Sequence, residues 1–219
     1  MPQNELLLDI LHRGLLEIGQ SFDRKTENHL IRYVNLISQC NRLYNLSSIR
    51  DTDTMVTRHL LDSLAILPYI EGQDIIDVGT GAGLPGIPLA IAMPERRFVL
   101  LDSNQKKIKF LQEVCHKLGL QNVRPICYRV EEYTAKPLFD AVVSRAFSTL
   151  PEFLNLSRHL VKSGGQFLAM KGVYPLTELQ DVKLPFKMLE VYPLKIPGLN
   201  AERHVVDLSY EPQTQFETA

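Results

Sequence analysis

A short apolar run, Ile75-Ile76-Asp77-Val78, passes directly into Gly79-Thr80-Gly81-Ala82-Gly83-Leu84-Pro85-Gly86, and no other stretch of the chain restricts its fold so sharply. An apolar run of this length reads as a strand covered on both faces, the condition of a parallel sheet packed between helices. Glycines at 79, 81 and 83 allow a tight turn and let a ligand approach the backbone with no Cβ in the way. The helix that follows presents its free N–H groups to whatever lies over the turn. Pro85 and Pro88 are tolerated there because first-turn amides have no intrahelical partner. A strand, a glycine turn and a helix in this order indicate a nucleotide-cofactor site. The competing reading is a plain tight βα connection, and the concentration of small residues weighs against it.

Downstream of Gly72, short apolar runs alternate with amphipathic helices, the pattern of βα units and a parallel sheet. The spacing predicts strands over Asp74–Val78, Phe98–Asp102, Val123–Cys127, Ala141–Ser144 and Gly165–Met170, with helices over Pro85–Ala92, Lys106–Leu118 and Leu150–Leu160. The alternation then breaks. Met188–Ile196 and His204–Tyr210 follow each other across Pro197-Gly198 with no helix between them, which predicts an antiparallel hairpin at the sheet edge. Upstream, Leu7, Leu8, Leu11, Leu15 and Ile18, then Leu30, Ile31, Val34 and Ile37, recur at helical spacing. Helices are expected over Asn4–Gly19 and Thr26–Arg42, and a third over Thr54–Ile70. The expected organisation is an N-terminal helical extension over 1–71 packed on the core, a Rossmann-like domain over 72–211 and a flexible tail over 212–219.

The 219 residues are 45% hydrophobic and 22% charged, the balance of a soluble globular protein. No stretch approaches the ~20 apolar residues of a membrane helix. Glu5 and Asp9 interrupt the N-terminus where a signal peptide would be basic and then apolar, so a cytoplasmic protein without membrane partners is expected. Cys40, Cys115 and Cys127 show no CxxC spacing and no neighbouring histidine pair, which suggests neither a metal site nor a disulfide framework. They are expected as buried apolar fillers. The formal net charge of −1 argues against a protein that coats nucleic acid non-specifically, because such binding comes from clustered Lys and Arg releasing counterions. Any RNA contact has to come from a local patch.

The spacing of the turn does not by itself choose a cofactor. Gly81-Ala82-Gly83-Leu84-Pro85-Gly86 also satisfies the GxGxxG of dinucleotide-binding proteins, with Asp102 ending the next strand as the ribose acid. The additional Gly79, preceded by the acid Asp77, resembles the first motif of class I methyltransferases, in which the acid helps order the methionine end of the cofactor. The terminal hairpin resembles the antiparallel seventh strand of that fold. The resemblance implies an α/β, class I S-adenosylmethionine-dependent methyltransferase (Rossmann-like) sheet, mostly parallel with an antiparallel C-terminal hairpin, plus an N-terminal helical extension. The implied cofactor is S-adenosyl-L-methionine. Asp102 would accept hydrogen bonds from both ribose hydroxyls, which a carboxylate can do symmetrically. The same residue is also placed to cap the helix after it.

Further segments resemble, in their order and spacing, the RsmG (GidB) family of bacterial 16S rRNA guanine-N7 methyltransferases. They are Asn41-Arg42-Leu43-Tyr44-Asn45-Leu46, Arg58-His59-Leu60-Leu61-Asp62-Ser63-Leu64, the turn from Asp77 to Pro88, Leu101-Asp102-Ser103, Arg129-Val130-Glu131-Glu132, Ser144-Arg145-Ala146-Phe147, Met170-Lys171-Gly172 and Glu202-Arg203-His204. The likeness spans about residues 30–206. It implies methyl transfer to N7 of a guanine in 16S rRNA, with that RNA or the small ribosomal subunit as partner. On the matching positions, Gly79, Gly81 and Leu84 would line the cofactor, Val130 and Glu131 would flank its adenine, and Arg145 would lie at the pocket near the acceptor. Many class I enzymes that act on amino groups carry an acidic or amide tetrad where Ser144-Arg145-Ala146-Phe147 stands. Guanine N7 has an in-plane lone pair and no proton to shed, so no general base is required. Arg145 is assigned to positioning, and no catalytic base is named.

Arg58, His59 and Asp62 fall within one helical turn and are expected to share a face. Either that face is a surface salt-bridge cluster or it closes the cleft and meets RNA; the residues leave both open. Lys171, and Arg203 with His204, are expected to converge with Arg145 at the carboxyl edge of the sheet, a patch able to grip phosphates. The plain alternatives are a solvated strand end for Lys171 and a satisfied edge-strand side chain for His204. Lys106, Lys107 and Lys109 are expected on a solvated helix face, and Asn41 and Asn45 as turn-formers between helices. A metal-free monomer is expected. Three other functions stay open: a small-molecule methyltransferase, which needs an enclosed apolar pocket, a cofactor-binding regulator without turnover, and a dehydrogenase.

Overall fold

Seven strands build one sheet: β1 (Asp74–Val78), β2 (Arg97–Asp102), β3 (Val123–Cys127), β4 (Phe139–Arg145), β5 (Val161–Lys171), β6 (Phe186–Pro193) and β7 (His204–Tyr210). The computed structural model describes residues 2–212, with backbone alone for 2 and 42–44; the expected tail lies, from residue 213 on, outside the described residues. The spatial order is β3-β2-β1-β4-β5-β7-β6. β1 to β5 pair in parallel, and β7 runs antiparallel between β5 and β6. The chain thus builds outward from β1 in one direction and then restarts with β4 on its other side. Such a reversal opens a crevice at the carboxyl ends of β1 and β4, where open α/β sheets bind ligands.

The helices are α1 (Pro2–Glu17), α2 (Arg24–Tyr44), α3 (Thr52–Met55), α4 (Asp62–Leu64), α5 (Gly86–Ala92), α6 (Gln105–Leu118), α7 (Leu150–Ser157) and α8 (Leu176–Gln180). Side-chain alternation along the strands divides the core in two. Ile75, Leu100, Val143 and Leu168 face one side and pack with α1, α2, α5 and α6 through Leu7, Leu11, Leu30, Val34, Ile87 and Leu111. Their strand neighbours Ile76, Leu101, Val142 and Phe167 face the other side, under Leu150, Phe153 and Leu154 of α7. Local signals set the helix ends. The Asp23 side chain accepts from Thr26 N before α2, Asn104 accepts from Lys106 N and Lys107 N before α6, and Gly119 closes α6 at φ 68.

The third expected helix is the main departure. Its capping residue is Asp51, it starts at Thr52, and between α3 and α4 it widens into a π-helical turn, Val56–Leu61, before ending in a 3₁₀ turn at Leu67–Tyr69. The wider turn changes which residues share a face: Arg58 is exposed while His59 and Asp62 are buried, so the expected common face of the three does not form. The expected hairpin is an antiparallel pair, but its second strand sits inside the sheet and the first forms the edge. Helix α8 and the 3₁₀ turn Val130–Glu132 have no counterpart in the sequence reading. The cysteines are also more open than expected. Cys40 and Cys115 are half-buried, and Cys127 is exposed at the end of β3, an edge strand with a neighbour on one side only.

Candidate cofactor cleft and acceptor edge

The glycine turn leaves β1 with φ of 70° at Gly79, 62° at Gly81 and 99° at Gly83, a backbone region that strains any side chain. A Cβ at Gly79 would lie 2.3 Å from the Phe147 ring, and one at Gly83 would meet Ile87, Leu111 and the Tyr33 hydroxyl. Asp77 lies beneath the turn, fully buried, and does not line the cleft above it. Its Oδ2 accepts from Thr80 Oγ1 at 2.7 Å and Gly86 N at 2.8 Å, while Oδ1 has no partner among the described residues. Burial raises its carboxyl to about 6. Asp77 therefore ties the two ends of the turn together.

Above the turn a cleft of about 440 Å³ opens, within the range of small-molecule sites. Gly79, Asp102, Val130, Glu131 and Phe147 line it, with Ser103, Lys107, Tyr128, Arg129 and Glu152. Of the residues expected at the cofactor, Gly79, Asp102, Val130 and Glu131 are therefore brought to one cleft. Val130 offers a buried apolar surface and Glu131 an exposed carboxylate on the 3₁₀ turn after β3. Asp102 Oδ1 accepts from Asn104 N at 2.8 Å and Oδ2 from Gly81 N at 2.9 Å and, more distantly, Lys107 Nζ, which leaves acceptor capacity on Oδ1. Asn104, and not Asp102, caps α6. Leu84 is buried in the core and does not line this cleft, and neither Gly81 nor the half-buried Arg145 lines it. Lys107 departs from its expected solvated face: half-buried at the cleft, it pairs with Asp102 at 3.5 Å.

Arg145 ends β4, beside β1, where the Ser144 hydroxyl donates to Val78 O at 2.7 Å. The next residue, Ala146, holds a left-handed φ of 55°, which directs the chain and Phe147 over the turn. Arg145 Nη1 donates to Asp62 Oδ2 and to Arg58 O, both at 3.0 Å, and Arg203 Nε donates to Asp62 Oδ1 at 2.8 Å. These two arginines converge as expected. Lys171 does not join them. Its Nζ reaches Ser148 O at 3.1 Å and Glu178 Oε2 at 2.7 Å, because α8 places a carboxylate there. His204 turns aside too, with Nδ1 on Gly172 O at 2.8 Å and its ring edge-on to Tyr174. His59 is buried, with Nε2 on the Ser47 hydroxyl at 2.9 Å and Nδ1 unpartnered among the described residues. Burial, and then the Arg145 cation, lower it to about 4, so it is neutral at physiological pH. Asn41 closes the loop after α2, exchanging hydrogen bonds with Ser47 and Ile49, and Asn45 caps that helix in a left-handed conformation.

The sequence reading misses Tyr33, Lys107 and Glu178 as parts of this region. Lys107 alone left a local trace, five residues after Asp102 at the start of α6. Tyr33 and Glu178 act across the fold and leave none. Among the described residues no group of three or more His, Cys, Asp or Glu side chains is placed to hold a metal ion, and no helix is long and apolar enough to cross a membrane.

A sheet of this order, with a glycine turn after β1 and an acid ending β2, defines a class I methyltransferase fold. Solved structures agree on the fold. TrmN from Thermus thermophilus aligns at a TM-score of 0.55 with 16% identity over 78% of this chain and 53% of its own. TYW2 from M. jannaschii, in complex with AdoMet, aligns at 0.54 with 20% identity over 70% of this chain and 76% of its own. Sequence relatives narrow the class. Ribosomal RNA small subunit methyltransferase G of Laribacter hongkongensis is 46% identical over 92% of this chain and 98% of its own, and that of Alteromonas mediterranea 47% over 94% and 98%. The GidB family model, rRNA small subunit methyltransferase G, matches residues 26–206. The chain belongs to that family.

Proposed function

We propose that this chain transfers a methyl group from S-adenosylmethionine to N7 of a guanine in 16S ribosomal RNA. The observation that carries the proposal is the joining, at one edge of the sheet, of a cofactor-sized cleft over the glycine turn and an arginine pair beside it. The residues present suit the cofactor. Gly79 offers a backbone surface with no Cβ, Asp102 has acceptor capacity for ribose hydroxyls, and Val130 and Glu131 supply an apolar wall and an acceptor for the adenine. When bound, S-adenosylmethionine supplies an electrophilic methyl on a sulfonium.

The chain's own part is binding and alignment. The lone pair of guanine N7 needs no proton removed, so Asp77 and His59, both buried, have no acid–base duty in the transfer. The residues around the cleft hold the two reactants in line and keep water out. Phe147 lies over Gly79 and forms one wall of the cleft. Arg145 and Arg203 face the acceptor, where guanidinium groups suit phosphate and guanine-edge acceptors. The ribosomal acceptor also makes the cytoplasm the expected compartment.

Labelled S-adenosylmethionine, incubated with unmethylated small ribosomal subunits, is expected to yield labelled N7-methylguanine in 16S rRNA. Label in another base would reject the N7 assignment, and cofactor binding with no transfer to any RNA would favour a regulatory role.

A further inference from the structure

Two guanidinium groups meet a single buried carboxylate at the carboxyl edge of the sheet. The Asp62 side chain, 3% exposed, divides its oxygens between Arg145 Nη1 at 3.0 Å and Arg203 Nε at 2.8 Å. The three residues come from distant parts of the chain: Asp62 opens α4, Arg145 closes β4 and Arg203 precedes β7. Arg145 Nη1 also reaches Arg58 O, and Arg203 Nη1 reaches Glu202 O at 2.7 Å. A guanidinium carries five donors. Nη2 of each arginine, and Nε of Arg145, make no hydrogen bond to protein among the described residues. Two cations against one anion leave a positive charge uncompensated, whereas Lys171 is matched by Glu178 and Lys107 by Asp102. The two arginine side chains are 22% and 25% exposed, so the surplus charge is open to solvent.

We infer that Asp62 is a positioning residue for the acceptor RNA: it holds Arg145 and Arg203 side by side as a fork whose remaining N–H groups take a phosphodiester next to the target guanine. The inference rests on the rRNA reading above. Without the carboxylate the two cations repel each other and their long side chains separate. With it they are ordered before RNA arrives, which removes part of the ordering cost of binding. A phosphate in the fork completes an alternation of charge, carboxylate to guanidinium to phosphate, through charge-assisted bonds.

The test compares the full chain with its Asp62→Asn variant on unmethylated small ribosomal subunits. Cofactor affinity is expected to stay within about twofold, because Asp62 does not line the cofactor cleft. KM for the subunit is expected to rise roughly tenfold, and the log–log dependence of binding on salt to flatten by about one phosphate contact. In an Arg203→Ala background, Asp62→Asn should add no more than about twofold. An unchanged KM and salt slope, or a full additional effect in the Arg203→Ala background, overturns the inference. Should Asp62→Asn fail to fold, Arg203→Lys preserves the charge but loses the planar fork. A raised subunit KM in that variant supports the inference, and an unchanged one overturns it. If the parent chain itself fails to methylate small-subunit RNA, the functional proposal falls and this inference with it. If the parent is active and the variants match it, only the inference falls.

Discussion

The hydroxyl of Tyr33, on α2, donates a 2.7 Å hydrogen bond to the carbonyl oxygen of Ala82, in the middle of the glycine turn. Tyr33 is fully buried, and burial pushes its phenol well above its usual value, so it stays a donor at any physiological pH. The N-terminal helices thereby brace the cofactor turn from below. Replacing Tyr33 by Phe leaves the Ala82 carbonyl without this partner. The expected loss is about 1–2 kcal/mol of stability, with cofactor affinity reduced severalfold. Thermal unfolding and calorimetric titration with S-adenosylmethionine check both, and two unchanged values would show that the brace is dispensable.

Gly79 and Gly81 differ in what a side chain would meet. At Gly79 a Cβ runs into Phe147, whereas at Gly81 the nearest atom is Gly79 O at 3.9 Å. Gly79→Ala is therefore expected to destabilise the fold by about 1–3 kcal/mol, through overpacking and a left-handed φ, and to weaken the cofactor at least tenfold. Gly81→Val also strains a left-handed φ, but its Cβ has no close protein neighbour, so it is expected to abolish cofactor binding with a loss of stability that lacks the clash with Phe147. Equal stability losses in the two variants would contradict this contrast.

Asp77 gives stability a definite dependence on pH. Its carboxyl keeps its proton up to about pH 6 in the folded chain and releases it near 3.8 when unfolded. The associated stability is fully present below about pH 4 and is lost as pH rises through about 6, by an amount on the order of 2–3 kcal/mol. Asp77→Asn removes this term. The stability of the variant minus that of the parent should increase as pH rises across this window, as read from denaturant midpoints at a series of pH values. A flat difference would show that Asp77 is ionised throughout.

His59 acts in the opposite sense over nearly the same window. Held neutral down to about pH 4 when folded, against 6.5 when unfolded, it contributes stability that is complete above about pH 6.5 and is lost as pH falls toward about 4. In a His59→Gln variant that acid-side loss should be smaller than in the parent. A variant that tracks the parent down to pH 4 would show that His59 accepts its proton without opening the fold.

The strands and most helices were legible because their signals are local. Short apolar runs set β1 and β3 to the residue, and apolar residues at helical spacing placed α2 and α6 to within two residues at each end. The π-helical turn was not legible. Its residues carry an ordinary helical pattern, yet in the fold the turn widens, burying Val56, His59, Leu60 and Leu61, with Asp62 buried at the start of α4. The pairing of Lys171 with Glu178 was equally hidden, because α8 comes back to β5 only in three dimensions.

By itself the sequence determined the glycine turn, the acid at Asp102 and the order of strands and helices, since each depends on residues close together in the chain. Tertiary structure alone decided which cations stay uncompensated. A carboxylate neutralises whatever guanidinium or ammonium lies within a few ångströms: Asp102 meets Lys107 at the end of one βα unit and Glu178 meets Lys171 where α8 folds back on β5, whereas Asp62 finds Arg145 and Arg203 only when the sheet and the N-terminal helices close on one another.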